Sequence, residues 1–329
     1  MIFVENGGQT DARVNLAIEE HVLRSVDLGD DLLLFYINAP SIIIGRNQNT
    51  LAEINHRYVQ EHGITVVRRV SGGGAVYHDL GNLNFSFITR FEQGNFNNFA
   101  KFTEPVIRVL RGMGVPAELS GRNDITVDGR KVSGNAQYRG RERMFSHGTL
   151  LFNSDLDVVS EALNVRMDKM VSKGIKSVRS RVANISEFIA EPMEMAEFRR
   201  RILEGLFAGQ SSIPTYHLSA QDHAGVQKLV AERYGAWEWN YGKSPAFDLE
   251  KRHRFPCGEI QALIKASNGV IEGVRLYGDF FGQRDVSELE ARLAGVRFEP
   301  ASLRQALEGV DFVSYFGGLS LQEFVDFLF

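Results

Sequence analysis

The sequence predicts an α+β protein, with a large domain of mixed, mostly antiparallel sheets followed by a small α+β domain. Strand-like runs in the first 245 residues are separated by helices without regular βαβ alternation. Asp128-Gly129, between two apolar runs, is the preferred centre of a two-residue hairpin turn. Beyond Pro245, three strand-like runs are followed by three helical ones, which is typical of a self-contained module.

Local patterns predict the elements of the large domain. Asp11 can cap a helix over 11–26, because valine or isoleucine recurs there every four residues. Apolar and polar residues alternate over 83–87, as in a half-buried strand. Further strands are predicted at 2–4, 32–37, 42–44, 64–67, 125–127, 130–132 and 145–152. Further helices are predicted at 55–61, 99–111, 195–207 and 220–234.

The small domain is predicted to begin near Pro245, so that the chain divides into 1–245 and 246–329. Its strands are predicted at 247–255, 258–266 and 270–277, and its helices at 286–293, 301–307 and 321–328. A chain of 329 residues with 43% hydrophobic content can bury a core in each part.

Composition excludes several functional classes. A net charge of −4 gives no overall bias towards nucleic acid or anionic membrane. The single cysteine, Cys257, cannot form an intrachain disulfide and fits a reducing compartment. The N-terminus lacks a signal-peptide pattern, and no apolar run approaches the roughly 20 residues of a membrane span. We therefore expect a cytoplasmic protein.

Residues 68–83, RRVSGGGAVYHDLGNL, are the most distinctive stretch. Gly72, Gly73 and Gly74 have no Cβ, so the backbone can adopt positive φ and approach another molecule closely. A flexible surface turn is the simpler interpretation. Because predicted core strands flank the glycines, a rigidly mounted binding loop is the alternative.

Polar residues cluster on the two arms of the predicted hairpin, GRNDITV and RKVSGNAQ. Asn123 and Asp124 lie on one arm, and Lys131, Ser133 and Asn135 on the other. A separate run over 166–181 contains six basic residues and one acidic residue. It is either a solvated loop or a clamp for phosphates or an acidic partner.

No familiar nucleophile or metal motif is present. The chain lacks HExxH, GxSxG and GxxxxGK[ST], and its only thiol is in the predicted small domain. The remaining arginine, lysine, asparagine, aspartate and glycine residues suit binding of anionic groups, with electrostatics and positioning supplying the catalysis.

Four motifs together resemble the lipoate–protein ligase A family: RRVSGGGAVYHDLGN, GRNDITVDGRKVSGNAQ, HGTLL and KSVRSRVANI. The resemblance covers essentially the whole chain, including the WEWNYGKSP segment. It implies a class II aminoacyl-tRNA synthetase-like/biotin ligase catalytic domain followed by an accessory domain. The implied activity is ATP- and Mg²⁺-dependent activation of lipoate to lipoyl-AMP, then transfer to a lysine of a lipoyl acceptor domain.

The resemblance also implies roles for individual residues. Lys131 would be catalytic, as a cation between the lipoate carboxylate and the α-phosphate rather than as a nucleophile. Asp124 is the candidate Mg²⁺ ligand. The ATP or adenylate contacts would be Arg69, Gly74, Ala75, Val76, Tyr77, Asn123, Asp124 and Lys131. The lipoate contacts would be Ser71, Gly72, Gly73, Gly74, Lys131, Ser133, Gly134 and His147.

Several alternatives stay open at this point. Lys131 could be an exposed hairpin lysine, His147 an ordinary structural residue, and His78 and Asp79 either ligand contacts or braces of the loop. The protein could instead be an ATP-independent lipoyl or octanoyl transferase, or a non-catalytic carrier-binding homologue. The acceptor could be a 2-oxoacid dehydrogenase E2 subunit, the glycine-cleavage H protein, or both.

Overall fold

Two units make up the computed structural model, in which residues 1–48, 50–163, 181–241, 249–267 and 270–328 are described. The first unit comprises Met1–Ile43, Leu51–Arg68 and Val76–Asn240. The second comprises Ile44–Thr50, Arg69–Ala75 and Tyr241–Phe329. The glycines of 72–74 therefore group with the C-terminal residues. The predicted boundary at Pro245 and the basic run, apart from Arg181, lie outside the described residues.

An eight-stranded sheet forms the centre of the first unit, in the order β11-β1-β2-β6-β10-β9-β8-β7. Its strands are β1 (Ile2–Glu5), β2 (Leu32–Ile37), β6 (Asn82–Arg90), β7 (Ala117–Ser120), β8 (Asp124–Val127), β9 (Arg130–Arg139), β10 (Arg143–Leu151) and β11 (Thr215–His217). Only the two pairings of β1 are parallel within this sheet. The predicted mixed, mostly antiparallel fold is confirmed.

Strand β6 corrects one prediction. The alternation of Leu83, Phe85 and Phe87 with polar residues predicts one solvated face, but Asn84 and Ser86 are also buried. Strand β6 pairs with β2 on one side and β10 on the other, so it is central. Its polar side chains find buried partners instead of water; for example, Asn84 Nδ2 donates to Tyr36 O at 3.1 Å.

A small three-stranded sheet adjoins this framework in the order β4-β3-β5, with β3 (Ser41–Ile44), β4 (Thr65–Arg68) and β5 (Val76–His78). The helices of the first unit are α1 (Ala12–Ser25), α2 (Thr50–Glu53), α3 (His56–Glu61), α4 (Phe99–Gly112), α5 (Leu156–Ala162), α6 (Met195–Leu206), α7 (Ala220–Leu229) and α8 (Trp237–Asn240). A 3₁₀ helix spans Ile185–Phe188, and a π-helical turn, Val230–Tyr234, continues α7. Asp11 caps α1 as predicted, since its carboxylate accepts from Arg13 N.

The second unit has its own sheet and core. Strands β12 (Leu249–Phe255), β13 (Gly258–Ser267) and β14 (Val270–Gly278) pair in chain order, all antiparallel. The helices are α9 (Ser287–Leu293), α10 (Pro300–Ala306), α11 (Phe312–Phe316) and α12 (Leu321–Leu328). Helix α11 was not predicted, because Gly317 ends it after five residues at φ 80°. No helix in the described part of the chain is both long and apolar enough to cross a membrane.

Candidate functional site

The lysine hairpin, formed by β8, β9 and the turn between them, is the best-defined part of the candidate site. Asp128 and Gly129 have φ of 50° and 73°, as a type I′ turn requires. A register shift between Ile125 and Thr126 offsets the two strands near Lys131. The hairpin predicted from Asp-Gly is therefore confirmed.

Lys131 is fixed through its backbone and directed through its side chain. Its N–H donates to Arg181 O at 2.7 Å, and its carbonyl accepts from Ala183 N at 3.0 Å. The side chain is 39% exposed, and Nζ lies 2.7 Å from the Asp124 carboxylate. A Cβ on Gly134 would lie 2.9 Å from Nζ, so the glycine makes room for the ammonium group. Lys131 thus has a partner and a preferred direction, unlike an unconstrained surface lysine.

The other polar residues of the hairpin form a connected network. Asn123 Nδ2 donates to Asn135 O, and Asn135 Nδ2 donates to Asn123 O at 2.9 Å. The Ser133 hydroxyl is buried and accepts from Asn135 Nδ2 at 3.2 Å. Gly134 N donates to Thr149 Oγ1. The structure therefore brings Asn123, Asp124, Lys131, Ser133 and Gly134 together, and their ligand contacts remain predictions.

His147 lies on the neighbouring strand and has a partner that sequence analysis missed. Its Nδ1 lies 2.9 Å from the carboxylate of Glu19, which is buried on α1. Phe145 packs beside the imidazole, with ring centroids 4.6 Å apart. A buried carboxylate costs free energy unless it is hydrogen-bonded, so this pair is built into the core. Local sequence gives no signal of it, since 128 residues separate the partners.

The glycine loop, Arg69–Ala75, lies in the second unit. Arg69 is buried, and its guanidinium donates to the carbonyl oxygens of Gly72 and Gly74, in each case at 2.8 Å. Ser71 is also buried, and its carbonyl accepts from Arg46 N at 2.9 Å. These contacts brace the loop and favour a mounted binding loop over a flexible turn. The contact of Arg69 with a nucleotide remains a prediction.

The three consecutive glycines lie in different surroundings. A Cβ on Gly72 would lie 2.6 Å from Phe280 O. Gly73 has φ of 95°, and its Cβ would lie 2.9 Å from both Arg69 and the Phe281 ring. Gly74 has no neighbouring atom within 4 Å of a Cβ position. Packing within the second unit accounts for the first two glycines, whereas Gly74 is the one that faces open space.

A second backbone segment supports the glycine loop. A Cβ on Gly45 would lie only 1.8 Å from Gly73 O, so the two backbones are in close contact. Asn47 O accepts from Gly278 N at the end of β14, and Arg46 pairs with Asp285 at 2.8 Å. Burial alone would raise the pKa of Asp285, but hydrogen bonds from Ser287 and the charge of Arg46 lower it. Residues 45–47 therefore contact both the glycine loop and the C-terminal part of the second unit.

The segment after the glycine loop returns to the first unit. Val76 and Tyr77 pair with β3, and Tyr77 is buried. Burial, together with the nearby Asp79 carboxylate, raises the pKa of Tyr77 to about 12, so its phenol is neutral at physiological pH. Asp79 accepts from Gly81 N and Asp155 N, and His78 Nδ1 lies 3.0 Å from Asn38 Nδ2. These contacts join His78 and Asp79 to Asn38, Gly81 and Asp155, and their role beside the glycine loop stays a prediction.

No cluster of three or more histidine, cysteine or acidic residues suited to a metal occurs among the described residues. Asp124 offers a single, partly exposed carboxylate. Nucleotide-bound Mg²⁺ is commonly held by one or two carboxylates plus phosphate oxygens and water. The donor set around Asp124 therefore fits a metal that arrives with a nucleotide.

Comparison with known proteins gives two family matches. Residues 11–207 match the family described as lipoyl protein ligase A/B catalytic domain. Residues 244–328 match the family described as bacterial lipoate protein ligase C-terminus. Together they cover most of the chain.

Individual relatives agree with these matches. The chain is 52% identical over 331 aligned positions to lipoate-protein ligase LplJ of Bacillus subtilis, covering 100% of both chains. It is 30% identical to a chain of the bipartite lipoate protein ligase of Thermoplasma acidophilum, solved in a study of that ligase and its E2 lipoyl domain. That match has a TM-score of 0.66 and covers 75% of this chain and 98% of that one.

A third relative, a lipoate-protein ligase A, was solved with bound ATP. It is 29% identical, with a TM-score of 0.63, and the match covers 74% of this chain and 97% of that one. These structures share the class II aminoacyl-tRNA synthetase-like catalytic fold that the resemblance implies.

Proposed function

The chain belongs to the lipoyl protein ligase A/B family and is a lipoate–protein ligase, and from this premise we propose that it works through an ATP-dependent adenylate. In the first step a lipoate carboxylate oxygen attacks the α-phosphorus of ATP, and pyrophosphate leaves. In the second, the amine of an acceptor lysine attacks the activated carbonyl, and AMP leaves.

The Lys131–Asp124 pair carries this proposal. An ammonium held 2.7 Å from one carboxylate is already directed and only partly exposed. Negative charge develops on the α-phosphate in the first step and on the carbonyl oxygen in the second. A pre-oriented cation can stabilise both without solvent reorganisation. Lys131 therefore acts by electrostatics and proximity, not as a nucleophile.

Mg²⁺ bound with ATP would neutralise phosphate charge, and Asp124 is the residue that would hold it. The Asp124 carboxylate also orients Lys131, so the lysine and the metal would both be held by this one side chain. Asn123, whose backbone is fixed to Asn135, would hold the adenylate beside them.

The glycine loop would bind lipoate and the phosphates of ATP. Gly74 would face the ligand, because its Cβ position is open, whereas Gly72 and Gly73 shape the loop. Within this loop, Arg69 would contact the nucleotide and Ser71 would contact lipoate. Ala75, Val76 and Tyr77 would contact the nucleotide along the following strand. Ser133, Gly134 and His147 would contact lipoate.

The acceptors would be lipoyl domains of 2-oxoacid dehydrogenase E2 subunits, the glycine-cleavage H protein, or both. We place the protein in a reducing cytoplasm, because its single cysteine cannot form an intrachain disulfide. A cysteine-dependent acyl transferase is disfavoured, because Cys257 is buried in the second unit at the turn between β12 and β13.

The test is incubation of the chain with lipoate and an apo lipoyl domain, with and without Mg-ATP, read by intact mass. We expect a lipoyl adduct and stoichiometric AMP only when ATP is present. Equal modification without ATP from a lipoylated carrier would support the transferase instead. No adduct and no lipoate-dependent pyrophosphate would support a non-catalytic homologue.

A further inference from the structure

The segment around helix α8 belongs to a motif that the assigned chemistry does not use. It supplies the described part of WEWNYGKSP, namely Trp237–Asn240 and Tyr241. Trp237 is 49% exposed, whereas Asn240 is 5% exposed and its side chain points into the protein. Two residues of one short helix thus have very different environments, and the buried end contacts Arg68.

Arg68 is held by this helix through both its backbone and its side chain. Arg68 N donates to Asn240 Oδ1 at 2.9 Å, and Trp239 Nε1 donates to Arg68 O at 2.8 Å. In return, Arg68 Nε donates to Trp239 O at 2.9 Å. The carbonyls at a helix C-terminus lack intrahelical partners, so Arg68 also caps α8. We call these mutual bonds the Arg68 clamp.

The clamp is itself anchored to the core of the first unit. Asn240 Nδ2 donates to Tyr234 O at 2.7 Å, and the Tyr234 hydroxyl donates to the buried Glu20 carboxylate at 2.7 Å. The Arg233 guanidinium lies 4.9 Å from the Trp239 ring centroid and also pairs with Glu20. The position of α8 therefore depends on a buried carboxylate of α1.

The clamp lies where the chain leaves the first unit. The chain passes into the second unit after Arg68 and again after Asn240. These two residues are 172 positions apart in sequence and are hydrogen-bonded to each other. Since Arg68 is covalently joined to Arg69, fixing both polar groups of its backbone fixes the start of the glycine loop.

We propose that Trp239 and Asn240 are positioning residues that set the starting point of the glycine loop for lipoate activation. This rests on the proposed function of the loop and extends it to a segment that would otherwise be a linker. Neither residue is assigned a contact with substrate; each acts through Arg68. A misplaced binding loop lowers the rate even when every contacting residue is intact.

The decisive comparison is Trp239→Phe against Trp237→Phe. The first keeps an aromatic ring but removes the N–H that bonds to Arg68 O; the second removes an indole from the exposed side of the same helix. We expect Trp239→Phe to lower kcat/KM for lipoate in AMP formation about tenfold, and Trp237→Phe to leave it unchanged. Asn240→Ala, which removes the acceptor for Arg68 N, should match Trp239→Phe.

Amide hydrogen exchange supplies a readout that does not depend on activity. In Trp239→Phe, exchange should rise in the peptide covering Arg69–Ala75 and stay unchanged in the lysine hairpin. Equal exchange and equal kcat/KM in the two tryptophan variants would overturn the proposal. So would a uniform rise in exchange throughout the chain, because that would mean a purely structural role.

Failure of the proposed function is distinguishable from failure of the clamp. A wild-type chain that makes no AMP from lipoate and ATP would defeat the function. The exchange comparison would still decide whether α8 fixes the loop. Trp237→Phe also leaves Trp239 as the sole tryptophan of a chain that has two, so its fluorescence reports the folded clamp directly.

Discussion

The lysine hairpin and the glycine loop both depend on glycines at positive φ, yet they are held in opposite ways. Gly129 lies in a turn whose conformation is specified by two adjacent residues. Gly73 lies in a loop whose shape is completed by Phe280 and Phe281, more than 200 positions away. The hairpin is encoded locally and the loop non-locally. A substitution in the hairpin should therefore perturb only neighbouring residues. A substitution in the glycine loop should also perturb the distant residues that pack against it.

Lys131→Ala tests the hairpin and should have the largest effect. Removing the ammonium should lower lipoate-dependent AMP formation by about two to three orders of magnitude, because the developing charge loses its partner. Lys131→Arg should not restore AMP formation, since the planar guanidinium of arginine differs in shape and charge distribution from the compact ammonium of lysine. Arg130→Ala, on the adjacent residue that pairs with Glu187, is the matched control and should retain near-normal rates.

Gly73→Val against Gly74→Ala tests the loop. Valine at φ of 95° is strained and meets Phe281, so we expect about 1–3 kcal/mol lower stability and impaired use of both lipoate and ATP. Alanine at Gly74 meets no protein atom, so stability should be unchanged while the KM for lipoate rises. Chemical unfolding and initial rates check both. An unchanged KM for lipoate in Gly74→Ala would show that the loop does not contact the acyl chain of lipoate.

Gly134→Ala should have a smaller effect and separates packing from charge in the hairpin. The new methyl group would meet the flexible end of Lys131, which can shift away from Asp124. We expect about a tenfold loss in kcat with little change in stability. Equal activity to wild type would show that the Lys131–Asp124 geometry is not required.

Asp222→Asn concerns neither region and should matter for stability alone. Burial would raise the pKa of Asp222, but hydrogen bonds from Ser219, Tyr216 and His21 outweigh it and hold that pKa well below its ordinary value. A lowered folded-state pKa contributes stability above the unfolded-state pKa, near 4, and that stability is lost as pH falls. Urea unfolding should show this loss below about pH 4 in wild type and a flatter profile in the variant.

The parts that sequence predicts are those with short-range causes. The Asp11 cap and the Asp-Gly hairpin depend on neighbouring residues, and each is visible as a pattern. The three consecutive glycines are visible too, but the packing against Phe280 and Phe281 that shapes their loop is not. The Glu19–His147 and Trp239–Arg68 contacts join residues 128 and 171 positions apart. No local pattern specifies them, because the tertiary fold creates the pairing. The same reason explains β6, whose burial on both faces depends on its central place in the sheet.

We propose that one ammonium, that of Lys131, serves both half-reactions. The direct measurement supplies presynthesised lipoyl-adenylate and an apo lipoyl domain to Lys131→Ala, and follows transfer by intact mass in a single turnover. We expect transfer by the variant to stay slower than wild type by about two orders of magnitude or more, although adenylate formation has been bypassed. Transfer at the wild-type rate would contradict it and confine Lys131 to the first step.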